Sequence, residues 1–322
     1  MSRYFDLHAT RNFGRKLNGV IEFIRYNSKP FGKAMLFIAG PVILVGSVLL
    51  TQFMNQTIMQ SVQVASGMIQ QETYSPMTFL SMFGGFIAIF IGSIILISTV
   101  YEYVKLYEER KSNQIEVIEV WNKVKTNMWG ILLSFILFGV IVFVLYLISI
   151  LFIGLMTMIH PVLTIIALLA LIVGILFVMA YFMLVIFIQV YEAKGLSNAF
   201  KRATFLIKEH WWSTVAIIFV TSFLQSSIST IFVIPMYANI IIYSMHSMDT
   251  QVIQEPSIWF EIVNYLSLAL YLVANYILYA IPLLGVAFQY FNLAEKKEAK
   301  GLMDKLDTFG VSDVSAEDEE HY

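Results

Sequence analysis

The residues that could do chemistry within the apolar stretches of this chain are uncharged amides and hydroxyls. Two neighbouring stretches in the last third of the chain hold most of them, namely Gln225, Ser226, Ser229, Asn239, Asn264 and Asn275. Amide and hydroxyl groups form hydrogen bonds but do not ionise near neutral pH. Two interpretations stay open. The groups line a polar cleft that receives a lipid head group or a small neutral solute, or they form hydrogen bonds between two packed helices.

Sequence motifs of catalysis are missing. The chain has no His-Glu-x-x-His, no Gly-x-Ser-x-Gly, no phosphate-binding glycine loop and no dinucleotide fingerprint. Cysteine is absent, which removes thiolate catalysis and thiolate metal sites. Proton relays and ion-coupled transporters carry ionisable residues in mid-membrane, and the middle of each apolar stretch here has none. We therefore predict no catalytic residue, no metal site and no cofactor, and expect a protein that is not an enzyme.

The cations are the other group with a chemical role. All twenty Lys and Arg residues lie before position 34 or in the segments 105–125, 194–208 and 296–305. The apolar stretches between these segments come in pairs, so every basic segment lies on the same side of a membrane. By the positive-inside rule, that side is cytoplasmic and holds both chain ends.

Composition requires a lipid environment. Hydrophobic residues make up 58% of the 322 positions and charged residues 13%, against about 25% charged in soluble domains. About 20 apolar residues cross a bilayer. Six stretches reach that length, at 34–53, 79–100, 128–153, 161–190, 213–241 and 263–291. The predicted fold is all-α, a polytopic protein with six transmembrane helices, N-in and C-in.

Three regions follow from this topology. Residues 1–33 form a cytoplasmic amphipathic leader, 34–291 the transmembrane domain and 292–322 an acidic, partly disordered tail. Proline adds local detail, because it removes a backbone donor and clashes with the preceding turn. The prolines within spans, which predict kinks, are Pro41, Pro235 and Pro282.

An amphipathic basic segment precedes each pair of spans. Apolar residues recur at helical spacing in 13–24, 115–124 and 196–207, with cations on the other faces. We predict three in-plane helices, each with its apolar face in the acyl boundary and its cations toward anionic head groups. The candidate head-group contacts are Arg15, Lys16, Arg25, Lys123, Lys125, Lys201, Arg202 and Lys208.

The three segments look alike in other ways. Val-Tyr-Glu, for example, occurs at both 100–102 and 190–192, where spans two and four end. Three copies of one unit, an in-plane helix and a hairpin, would explain such echoes. The common need of cytoplasmic loops for basic and aromatic anchors would explain them as well.

One stretch resembles a recurrent element of bacterial multi-pass membrane proteins. It reads Val-Tyr-Glu-Ala-Lys-Gly-Leu-Ser-Asn-Ala-Phe-Lys-Arg-Ala-Thr-Phe-Leu-Ile-Lys at 190–208, followed by Trp211 and Trp212. The element occurs in the membrane domain attached to some glycerophosphodiester phosphodiesterases and in related six-helix proteins. The leader, from Phe13-Gly-Arg-Lys-Leu to Lys29-Pro-Phe, is similar to that of uncharacterised inner-membrane proteins of Bacteroidetes-type bacteria. The resemblance implies the bacterial cytoplasmic membrane and carries over no catalytic residue, because the phosphodiesterase barrel is absent here.

Two functions from different classes are compatible with these features. The first is a non-enzymatic integral membrane protein that acts through lipid contact or as a subunit in envelope maintenance. The alternative is a transporter or channel for a neutral or lipidic solute, through the polar cleft between spans five and six. An intramembrane lipid enzyme ranks last. The expected partners are anionic lipids on the cytoplasmic side and a protein partner or second copy, and no nucleic acid is expected.

Overall fold

The chain is almost entirely helical in the residues that its structure, a computed structural model, describes: 5–65, 75–250, 257–299 and 303. Within them lie ten α-helices and no strand, which confirms the all-α prediction. The helices are α1 Phe13–Ala34, α2 Gly40–Ala65, α3 Pro76–Arg110, α4 Val117–Ile159, α5 Pro161–Tyr191, α6 Leu196–Ile207, α7 Trp211–Thr230, α8 Ile234–Thr250, α9 Ile258–Leu278 and α10 Ala280–Glu298. The predicted acidic tail lies outside the described residues from 300 onward, apart from 303.

Six helical stretches are long and apolar enough to cross a membrane, as predicted. They are Phe13–Ser61, Pro76–Arg110, Val117–Ile159, Pro161–Tyr191, Trp211–Met245 and Ile258–Glu298. Most exceed the predicted spans, and α4 alone has 43 residues, or about 65 Å of helix. A hydrocarbon core is about 30 Å thick, so α4 extends well beyond it. The described spans nevertheless carry no Asp, Glu, Lys or Arg in their central turns.

Each predicted kink corresponds to an irregular turn. A π-helical turn, Met35–Ala39, precedes Pro41, and a 3-10 turn, Ile231–Val233, precedes Pro235. Between α9 and α10 the α-helix is interrupted at Tyr279, three residues before Pro282. Proline removes the bond to the carbonyl four residues earlier and crowds it. The backbone relieves that crowding in the turn before the proline.

One end of the bundle has a dense core. There α1 and α6 lie against the ends of α3, α5 and α10, and we call it the basic end. Phe23 of α1 makes edge-to-face contacts with Tyr107 at 5.1 Å and with Phe288 at 6.2 Å. Within the core, Tyr101 contacts Phe187 in the same way at 4.9 Å. Because α1 contacts α3, α4, α7 and α10, it crosses their ends and joins them.

Glycines allow α2 and α3 to pack closely. A Cβ at Gly46 would lie 2.9 Å from the backbone nitrogen of Ile89, and one at Gly85 would lie 2.8 Å from Leu50. Real Cβ atoms essentially never come so close. The two backbones therefore meet only because these positions lack side chains.

The α4–α5 hairpin is packed differently. Midway along α4, Phe138 stacks on Phe182, with ring centroids 3.6 Å apart. Beyond that point lies what we call the outer hairpin, residues 139–176. Its side chains are exposed or half-buried, with Ala167 as the one buried residue. Within residues 139–176, these two helices therefore face the lipid.

The three amphipathic segments differ from one another. The first is α1, and the third is α6, a separate helix. The second is not separate, since α4 runs without interruption from Val117 through the span. No proline or glycine lies between Val117 and Met128 to end a helix there. Moreover, the apolar faces of α1 and α6 pack on the protein core rather than on lipid, as Phe23 and Leu206 show, both 0% exposed.

Candidate functional site at the basic end

Six of the eight predicted head-group cations are exposed at the basic end. They are Arg15, Arg25, Lys123, Lys125, Lys201 and Lys208. Exposed aromatic side chains lie within four residues of these cations in the chain, namely Phe13, Trp129, Phe205 and Trp212. Aromatic rings of this kind sit at head-group level in membrane proteins, beside Lys and Arg. We call these ten residues the basic rim.

Lys16 does not belong to the rim, although the sequence analysis placed it there. Its side chain is buried, and Nζ donates to Oε1 of Gln289 at 2.6 Å and to Oγ of Ser213 at 3.0 Å. Nε2 of Gln289 in turn donates to Oγ1 of Thr214 at 2.9 Å. Lys16 lies on the inner face of α1, one helical turn before the buried Val20. Its side chain therefore joins α1 to α7 and α10.

Arg202 also faces inward, where it connects three helices. Its Nε donates to Oε1 of Glu192 at 2.9 Å, and its Nη2 donates to Oε2 of Glu298 at 2.8 Å. The hydroxyl of Tyr290 donates to the same Glu192 oxygen at 2.5 Å. Lys194 is paired with Glu192 as well. The guanidinium thus fastens α6 to the end of α5 and to α10.

This network shifts the pKa values of both partners. Burial on its own would raise the pKa of Glu192, but the hydrogen bonds from Lys194, Tyr290 and Arg202 outweigh it and hold that pKa below its ordinary value. The hydrogen bonds to Glu298 raise the pKa of Arg202 further above its ordinary value, despite burial. Both directions favour the charged forms.

One further carboxylate, Glu102, is buried and was missed by the sequence reasoning. It is 0% exposed and accepts a hydrogen bond from Nδ2 of Asn127. Its other oxygen, Oε2, has no partner among the described residues. The repeated Val-Tyr-Glu was the signal for it, because Glu102 and Glu192 occupy the same place in that string. Both carboxylates bind a neighbouring helix at the basic end.

The polar residues of spans five and six lie between helices, mostly in pairs. Nε2 of Gln225 donates to Oδ1 of Asn275 at 2.5 Å, and Oγ of Ser229 donates to the same atom at 3.3 Å. Nearer the other end, Nδ2 of Asn239 donates to Oδ1 of Asn264 at 3.0 Å. These bonds join α7 and α8 to α9, as the hydrogen-bonding interpretation requires.

Ser226 is the exception among these six residues. Its side chain is exposed, and its backbone carbonyl accepts a bond from Ser229 within the same helix. The structure therefore brings together two groups of polar residues rather than one continuous cleft. Gln225 and Asn275 also line a cavity.

Metal-ligand geometry is absent from the part of the chain that the structure describes. No three His, Asp or Glu side chains come together there as a metal ion would require. The predictions that the protein has no cofactor and is not an enzyme remain predictions.

Comparisons with known proteins add no relative. No protein-family model matches the chain, and no curated protein or solved structure is significantly similar to it. The resemblance noted in the sequence remains a prediction.

Proposed function

We propose that the chain is a non-enzymatic integral membrane protein that acts through lipid contact, with the basic rim as its binding surface for anionic head groups. The rim supports this because it combines exposed cations and exposed aromatic rings at one end of a transmembrane bundle. Each Lys or Arg near an anionic surface contributes about 1 kcal/mol of attraction. A role in envelope maintenance would use that contact to hold or organise acidic lipids.

The packing behind the rim is consistent with this role. Apolar faces of α1 and α6 are covered by protein, so these helices do not depend on lipid for burial. Lys16 and Arg202 keep them in place through hydrogen bonds to α10 and to the end of α5. The exposed cations thus stand on a rigid support, which favours a persistent lipid-binding surface over transient contact.

Lipid retention tests the proposal directly. The protein would be purified in mild detergent, mixed with phosphatidylglycerol or phosphatidylcholine, and examined by native mass spectrometry. We expect more phosphatidylglycerol to be retained. Replacing Arg15, Lys123, Lys125 and Lys208 with Gln should remove that preference, since about 1 kcal/mol per cation is lost.

A charge-preserving variant is the matched control. This variant combines Arg15→Lys with Lys123→Arg, Lys125→Arg and Lys208→Arg. It should retain the preference for phosphatidylglycerol, and that preference should weaken as salt is added. Equal retention of the two lipids by the unaltered protein would contradict the proposal. So would an unchanged preference in the Gln variant.

We also propose that the protein lies in the bacterial cytoplasmic membrane with the basic end, and both chain ends, on the cytoplasmic side. The chain has no cysteine, so single cysteines report position. Asn198 is exposed on α6, and Ile258 is exposed at the opposite end of the bundle, so the two variants are Asn198→Cys and Ile258→Cys. A membrane-impermeant maleimide should label the second in intact cells and the first only after permeabilisation. The reverse labelling pattern would show that the orientation is opposite to the one proposed.

A further inference from the structure

A cavity of about 360 Å³ lies inside the membrane-spanning region, at the fork where the outer hairpin leaves the bundle. Phe138 and Phe182 form one wall, and Ile97 and Leu283 lie in another. Met179 also lines the cavity and is 47% exposed on the lipid-facing side. Ligand pockets commonly measure about 300–1,000 Å³. This one opens toward hydrocarbon, because Met179 lies where α5 begins to face lipid.

The cavity wall contains a hydroxyl that lacks a partner. Tyr101 lines the cavity one turn from Ile97 and is 0% exposed. Its Oη makes no hydrogen bond with any described residue. A buried donor without an acceptor is unfavourable, and buried tyrosine hydroxyls ordinarily find one. Protein atoms cover Oη, so a ligand oxygen would supply that acceptor by shifting the side chains around it.

Gln225 offers a second polar group. Its Nε2 donates to the backbone oxygen of Asn275 at 3.0 Å and to Oδ1 of the same residue. These two acceptors fix the orientation of the amide. Its carboxamide oxygen, Oε1, accepts no bond from the described residues, and Gln225 lines the cavity. The lining therefore includes a donor without an acceptor, at Tyr101, and an acceptor without a donor, at Gln225.

The ligand class follows from these features. No Asp, Glu, Lys or Arg lines the cavity, so a charged group would have no partner there. At about 30 Å³ for a water-sized or methylene-sized group, the volume accommodates about a dozen carbons. We propose that the cavity binds a single alkyl or prenyl chain that carries a neutral hydroxyl, because a hydroxyl can accept from Tyr101 or donate to Gln225.

Photolabelling tests this proposal in proteoliposomes of phosphatidylcholine alone. One probe is dodecan-1-ol with a mid-chain diazirine, and the matched probe is the same chain without its hydroxyl. The alcohol should label peptides of α3, α5 and α9 saturably, and unlabelled dodecan-1-ol should compete. Tyr101→Phe should raise the half-saturating concentration of the alcohol about fivefold, as expected for one lost hydrogen bond, and leave the alkane unaffected.

Tyr101→Phe separates ligand binding from folding. It removes only the hydroxyl without a partner, so the ring packing on Phe187 stays and the ligand-free protein should be no less stable. Gln225→Leu should weaken alcohol labelling as well. Met179→Trp should reduce labelling by both probes, because it fills the mouth. Ile165→Trp, at an exposed position of the same helix, is the control and should change neither.

Two results would overturn the proposal. One is equal affinity of the alcohol and alkane probes for the unaltered protein. The other is an alcohol affinity that Tyr101→Phe does not change. Neither depends on the basic rim, because the lipid in this experiment is neutral and the rim residues are intact. A negative result here and a negative result for head-group binding are therefore distinguishable.

Discussion

The outer hairpin and the basic end are both built from apolar helices, yet they are packed in opposite ways. The best 18-residue windows of α4 and α5 have mean hydropathies of 3.1 and 3.2, and 0% and 6% of their residues are buried. The corresponding window of α3 has a lower mean hydropathy, 2.4, and 44% of it is buried. In this molecule the two most apolar helices are the two least packed ones.

This difference has a physical cause. Lipid tails are as apolar as Leu, so hydrophobicity does not draw helices together within a bilayer. Close packing there requires small residues, aromatic contacts and polar pairs. Such groups are found on α3, α2 and α10, whereas the outer hairpin consists mainly of Leu, Ile, Val and Phe. Mean hydropathy thus identifies which side chains prefer lipid rather than which helices form the core.

A lysine in the outer hairpin should produce the largest effect. Val140→Lys places a cation at a position 55% exposed to lipid, which disfavours insertion by about 2.5–3.5 kcal/mol. We expect a large loss of membrane-inserted protein, measured as the fraction that resists alkaline extraction. Val140→Leu is the control. Full insertion of the lysine variant would mean that water or another protein covers this surface.

Removing the half-buried guanidinium of Arg202 tests the basic end. Arg202→Met leaves Glu192 and Glu298 without their shared partner, and we expect a loss of about 1.5–3 kcal/mol of unfolding free energy. The measurement is denaturant unfolding in mild detergent. Lys201→Met, at the exposed neighbouring position, should have almost no effect. Equal effects of the two variants would show that the network does not stabilise α6.

A pair of glycine substitutions compares the two regions directly. Gly46→Ala forces a Cβ against the backbone of α3, and overpacking of this kind lowers stability by about 1–3 kcal/mol. Gly139→Ala has no atom within 4 Å of its new Cβ and should stabilise the helix by about 0.5–1 kcal/mol. Thermal unfolding of both variants checks the signs. Two changes of the same sign would contradict the difference in packing.

A smaller effect is expected from Glu192, whose contribution to stability should depend on pH. Its pKa is held below the ordinary value, so the stabilisation is fully present above that value and is lost as pH falls through the lowered pKa. Glu192→Gln should flatten the acid side of a curve of unfolding temperature against pH. Glu209→Gln, at an exposed position near the end of α6, should leave that curve unchanged.

A small effect is expected between α7 and α9. Asn275→Leu removes the acceptor of Gln225 and Ser229, and transmembrane contacts of this type average about 0.6 kcal/mol. We expect a loss of about 1 kcal/mol in denaturant unfolding. If these residues instead lined a solute path, the same variant would abolish flux in liposomes at normal stability. That outcome would support the transport alternative.

Much of the architecture could be predicted because it depends on local properties. Length and hydropathy gave six spans, and Pro41, Pro235 and Pro282 marked the irregular turns. The fifth predicted span, 213–241, lies within the helical stretch Trp211–Met245. These features follow from the chain near each residue, since a bilayer imposes the same length on every span.

The candidate site could be predicted only in part, because it depends on contacts between distant residues. Arg202 and Glu298 are 96 positions apart, and Lys16 and Gln289 are 273 apart. A periodicity that marks a cation on an amphipathic helix does not say which neighbour covers that face. Helical spacing therefore grouped Lys16 with Arg15, although one is buried and the other exposed. The cavity likewise forms only when six helices have been placed around it.

The uncharged central turns of the spans have an electrical consequence. Moving one elementary charge across a potential of 100 mV changes the energy by about 2.3 kcal/mol, and voltage sensors use several such charges. The described central turns of this bundle hold none, and its fixed charges lie at the helix ends. Rearrangements inside the membrane would therefore displace almost no charge through the field. The resting potential should exert little force on this protein's conformation.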